Sequence, residues 1–204
     1  MSDQVALLPA LHPPFRQIGF PGAPCGGRSC CTDAVGCEIV RRDRGRTITP
    51  AAFRKAARPN DPNPCGGLTP GQFLNGLRAF GVKGYAYADR VTAQEVLEAT
   101  DRGVVLVGVN YGAYPVPSEC QIGGRVDLGF TGAHAVSAWG RRKLADGHWY
   151  AWVRDPDHHY DGHDGSRTAP PYDRMEMRYL GRAINALPGT SGWGVTFAVW
   201  REED

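Results

Sequence analysis

The chain has 204 residues, 42% of them apolar, and a formal net charge of only +2. That length builds one sizeable core rather than two, and so small a charge leaves no electrostatic footprint for nucleic acid or an acidic membrane surface. No apolar run approaches the roughly 18 residues of a membrane-spanning helix.

Residues 1–28 carry Pro9, Pro13, Pro14, Pro21 and Pro24 among Leu7, Leu8, Leu11, Phe15, Ile18 and Phe20. The prolines forbid a long helix, and the apolar content is too high for a solvated tail. An extended arm is expected, lying across its own domain or against a partner. Its apolar patch, Val5 to Leu8, follows Asp3, has no basic stretch before it and is broken by Pro9, so it does not read as a secretory signal. The expected location is the cytoplasm or the inside of a particle.

Residues 29–204 are expected to form one α+β domain. A helix runs from Cys31 to about Arg42, with Cys31, Val35 and Ile39 on one stripe and Gly45 as its stop. Thr49-Pro50 and Thr69-Pro70 each pair an N-cap with proline at the first helical position, predicting helices to about Ala57 and to Gly81. Gly84 to Ala88 alternates like a short strand. Thr92 and Glu95 form a capping box for a third short helix, and Val104 to Val109 is a fully apolar strand. The second half turns to sheet, with strands predicted at 134–139, 148–154 and 193–200. Helices first and strands second argue for α+β rather than alternating βαβ.

Charge and cysteine usage narrow the chemistry. The cations are 20 Arg against 3 Lys, a skew that follows from GC-rich coding and is given no binding role. Six cysteines occur, at 25, 30, 31, 37, 65 and 120. They offer no paired spacing for a zinc site, and no metal or cofactor is expected. Cys25 and Cys65 sit in matching Pro-Cys-Gly-Gly turns, which leaves a disulfide between them open. Cys37 reads as a small core residue. Cys31 differs: it stands where a Gly/Pro-rich loop gives way to a helix, and a helix N-terminus favours thiolate.

Two further residues complete a thiol hydrolase set. His134 opens the apolar run to Trp139, and Asp155 closes the run from Trp149, just before Pro156. A fold that brings the three together lets a thiolate attack a carbonyl, with His134 moving the proton and Asp155 fixing the ring. Cys30 stays open as the nucleophile if the helix starts one residue earlier, and Asp157 stays open in place of Asp155. The crowd of Asp155, Asp157, His158, His159, Asp161, His163 and Asp164 matches no standard metal spacing and is read as a solvated loop.

In this order of elements the chain resembles papain-like cysteine peptidases of the bacteriocin-leader (double-glycine) type, and most closely the stand-alone papain-like domains of actinobacterial phages. The resemblance runs from about Ser29 to Pro156. It includes the nucleophile helix, Gly45-x-x-Ile48-Thr49, Gly67-Leu68-Thr69-Pro70, Leu77-x-x-Phe80-Gly81-Val82, and the His and Asp-Pro strands. It implies a papain-like fold with Cys31, His134 and Asp155 as catalytic residues. The Gln that it places shortly before the nucleophile is not there; Gln17, farther upstream, would serve the oxyanion only if the loop from Ile18 to Cys30 folds back. The implied substrate is an amide bond in a protein or a peptidoglycan stem peptide. The implied setting is a phage virion, with other virion proteins as partners through the arm. The alternative expectation is a structural tail protein built on the same fold.

Overall fold

The computed structural model describes residues 30–60, 66–115, 124–125, 132–159, 173–185 and 197–203. The arm expected over residues 1–28, with Gln17, and the Cys25–Cys65 pairing lie outside them.

Helix α1 (Cys31–Arg44) ends at Gly45, whose φ of 62° is the left-handed conformation that closes a helix and whose N–H donates to the Arg41 carbonyl. Helices α2 (Pro50–Ala57), α3 (Pro70–Ala79) and α4 (Ala93–Ala99) begin at Thr49, Thr69 and Thr92, each accepting a backbone N–H on its hydroxyl. Strands β1 (Tyr85–Asp89) and β2 (Val105–Asn110) alternate with these helices. Then come β3 (Gly124–Arg125), β4 (Ala133–Lys143), β5 (Trp149–Arg154), β6 (His158–His159), β7 (Asp173–Glu176), α5 (Met177–Asn185) and β8 (Phe197–Arg201).

Six strands form one antiparallel sheet in the order β1-β8-β2-β4-β5-β7, and β3 pairs with β6 separately. Strand β4 is longer than its apolar run predicts, because a bulge between Ala138 and Gly140 lets the polar residues Arg141 to Lys143 stay paired with β5. Strand β7 and helix α5 are additions to the predicted elements.

Both faces of the sheet are covered. Val35, Ile39, Phe53, Phe73 and Leu77 from α1–α3 pack on Leu106, Trp139, Trp152 and Val199. On the other face, Val96, Leu97, Leu180, Ala183 and Ile184 from α4 and α5 pack on Val105, Val107, Val136, Ala151 and Val153. Burial from both sides is why β2 has no polar residue from Val105 to Val109 and does not alternate.

Helix α1 is buried almost all round, from Thr32 to Val40, and it lies close to its neighbours. Phe53 of α2 fills the gap between α1 and α3, and a Cβ on Gly36 or Gly76 would come within 2.3 or 2.7 Å of its ring carbon Cζ. Gly36→Ala is therefore expected to destabilise the protein by about 1–3 kcal/mol through overpacking, although the same change in an exposed helix gains about 1 kcal/mol. Urea unfolding checks this; a more stable variant would mean that the Phe53 ring has room to move.

Candidate active site

Cys31 is the first residue of α1 and is half-buried, with Cys30 before it as the N-cap. The first-turn N–H groups of a helix have no partner inside it, so the backbone N–H of Cys31 is free of the helical ladder and sits beside the thiol. Cys30 is fully buried, and burial pushes its thiol up to about 12, with Asp33 and Cys31 adding to the rise and Arg54 opposing it. Burial raises the Cys37 thiol too. Of these three cysteines, only Cys31 meets solvent.

His134 comes near the start of β4, paired in register with Val109 of β2. Its Nε2 lies 2.7 Å from Oδ1 of Asp155, both side chains being buried. The Cys31 thiol lies close enough to the same imidazole to favour its protonated form. Since Asp155 occupies Nε2, the nitrogen left to exchange a proton with sulfur is Nδ1. The structure thus brings Cys31, His134 and Asp155 together, from a helix start and two strand ends. Burial disfavours a charged His134 ring, but the Asp155 charge and hydrogen bond outweigh it, and contact with Cys31 adds to them; the ring is raised to about 10.

Asp155 also accepts the Asp157 N–H, at 2.8 Å, on the oxygen that faces His134. Asp157 itself does not hold the ring. Its Oδ2 accepts the Tyr111 hydroxyl at 3.0 Å, and the Tyr111 ring lies against His134 with centroids 4.5 Å apart. Tyr111 therefore covers the imidazole, and Asp157 holds Tyr111 in place. The sequence offered no sign of this: Tyr111 simply follows an apolar strand, and only the pairing of β2 with β4 sets it beside His134 (Tyr111 N–H donates to the Gly132 carbonyl at 3.0 Å).

Two buried ion pairs flank the site and were also not foreseen. Arg54 of α2 grips Asp33 of α1 with Nε–Oδ1 at 3.1 Å and Nη2–Oδ2 at 2.5 Å. Arg154 of β5 donates to Glu38 of α1 at 2.7 Å. The rest of the His/Asp crowd contributes no described side chain. The backbone of His158 and His159 forms β6, while Asp161, His163 and Asp164 lie outside the described residues.

By sequence, the chain matches no family model and no curated protein. By structure, it aligns with a Bacillus anthracis protein assigned as a C39-like peptidase at a TM-score of 0.55, over 94% of this chain and 95% of that one, with 11% identity. Bromelain from Ananas comosus, solved with the E64 inhibitor, aligns at 0.53 over 96% and 95%, with 16% identity. The fold is papain-like. The peptidase domain of Streptococcus ComA, a bifunctional ABC transporter of quorum sensing, also aligns, at 0.50 over 94% and 100% with 12% identity. Here α1 packs on β4 and reaches β5 through Glu38 and Arg154.

Proposed function

We infer that this papain-like chain is a cysteine peptidase, a thiol hydrolase that cleaves amide bonds. The observation that carries this reading is the buried His134–Asp155 pair at Nε2, with the Cys31 thiol at a helix start close enough to favour the charged ring. In the reaction, the Cys31 thiolate attacks the amide carbonyl and His134, protonated on Nδ1, waits beside it. The oxyanion forms next to the Cys31 backbone N–H, one donor of the kind worth about 10²–10³ in rate. His134 then protonates the leaving amine. Water is activated by the neutral ring, attacks the thioester and releases the acid. Asp155 holds the ring in orientation and stabilises its charge throughout.

The substrate class follows from this chemistry and the sequence resemblance: a peptide bond in a protein or in a peptidoglycan stem peptide. A phage particle as the setting, with Gln17 as the second oxyanion donor, rests on the sequence alone. Limited treatment with iodoacetamide, followed by mass-spectrometric mapping, tests the central claim. Cys31 is expected to be labelled well before Cys30 and Cys37, with loss of hydrolysis in step, and Cys31→Ala is expected to fold but not to cleave. Earlier labelling of Cys37 or Cys120 would make Cys31 an inert residue and end the peptidase reading.

A further inference from the structure

Glu38 and Arg154 sit where no step of the proposed chemistry needs them. Both side chains are almost wholly buried; Glu38 shares α1 with Cys31, and Arg154 ends the strand that leads into Asp155. Glu38 lies seven residues after Cys31 on α1, two turns down the same face; Arg154 immediately precedes Asp155. Seven residues of helix at about 1.5 Å each span about 10 Å. Along β4, three residues from His134 to Ser137, at about 3.3 Å each, span the same about 10 Å, and Ser137 is the residue paired with Arg154 across β4 and β5. Helix and strand thus meet at two levels: Cys31 with His134 at one, Glu38 with Arg154 at the other.

The lower contact is itself held firmly. The Arg154 guanidinium lies over the Trp139 ring at 5.2 Å, and Trp139 donates its indole N–H to Ser137 Oγ at 2.9 Å. On α1, Arg41 approaches both Glu38 oxygens at 3.2 Å, so the carboxylate is gripped from two sides. Fold stability does not explain such a pair. Removing two charges from water costs about as much as their attraction returns, and apolar residues of similar size often serve a fold equally well. What a charged pair adds is direction. The apolar packing around α1 is non-directional, whereas a second polar fixed point about 10 Å from Cys31 helps to set both the helix's rotation and its axial register.

We propose that Glu38 and Arg154 are positioning residues: a buried strut between α1 and β5 that keeps the Cys31 sulfur opposite His134. This rests on the peptidase reading above.

The test uses the full chain and iodoacetamide as probe. The alkylation rate of Cys31 at pH 7 is measured beside thermal unfolding, with His134→Ala marking the rate of an unpaired thiol. The Glu38→Met/Arg154→Met double variant is expected to fold but to lose on the order of 10–100-fold in alkylation rate, as a small misplacement does, approaching the His134→Ala rate. Arg154→Lys, which keeps the charge, is expected to retain most of it. Should the double variant not fold, Glu38→Gln, of the same shape, is judged by the same criterion. A folded variant that lacks the pair yet alkylates at the unchanged rate overturns the strut. If Cys31 of the unaltered protein is no faster than in His134→Ala, the peptidase reading fails and the strut with it, a result distinguishable because no strut residue has been touched.

Discussion

Replacing His134 by Ala is expected to lower kcat on the order of 10⁴–10⁶-fold, the scale seen when one member of a cooperating catalytic set is removed. On the peptidase reading the ring has two tasks, taking up the thiol proton and giving it to the leaving amine. Turnover of a fluorogenic peptide library checks this, with activity within tenfold of the unaltered protein ruling the ring out as the base. Asp155→Asn separates charge from orientation. An amide oxygen still accepts from Nε2, but the charge that outweighs burial is gone. Because His134 is raised to about 10, activity should fall at alkaline pH as the ring loses its proton near that value. In Asp155→Asn this limb should move down by about 1–3 pH units.

The sign for stability follows from the same shift. A His with a raised folded pKa contributes stability that is fully present below its unfolded pKa of about 6.5. That contribution is lost as pH rises through about 10. Denaturant unfolding between those limits should show the decline, and Asp155→Asn should flatten it.

Arg54→Met is expected to cost about 3–5 kcal/mol, because it leaves the Asp33 carboxylate buried without its guanidinium. Asp33 is wholly buried, and burial pushes its carboxyl up despite the hydrogen bond and charge of Arg54. A buried pair of this kind adds little net stability over apolar residues of similar size. Exchanging both partners, as in Asp33→Leu/Arg54→Met, should recover most of the loss. Arg54 also donates to the Gly66 carbonyl at 3.1 Å, tying the segment before α3 to the start of α1. Chemical denaturation of the single and double variants decides the matter; a double variant as unstable as the single would show that this second contact, and not the buried charge, is what counts.

The parts of the fold legible in the sequence are those with local signals. Thr49, Thr69 and Thr92 cap helices because their hydroxyls need only a backbone N–H three residues on, and the apolar run at 104–109 became a strand buried on both faces. Strand β7 is Asp-Arg-Met-Glu, a polar edge strand of which Met175 alone is a core hydrophobic. Helix α5 does space Met177, Leu180, Ala183 and Ile184 for one face, but it is only nine residues long and contains Gly181, so its signal is brief. The convergence of Cys31, His134 and Asp155 was readable because each stands at the boundary of an element. Asp33, Glu38 and Tyr111 were not, since their partners lie 21, 116 and 46 residues away, and nothing local marks a charge or ring for burial.

Strand β8 lies between β1 and β2, both of which precede it by far in the chain. During synthesis, then, β1 and β2 emerge with the slot between them empty, and Phe197 and Val199 are missing from the core beneath α1. Pairings over such separations form late and slowly. Order of translation becomes a timer: the thiol at Cys31 is made early, but the scaffold that aims it closes only when residues 197–201 have been added.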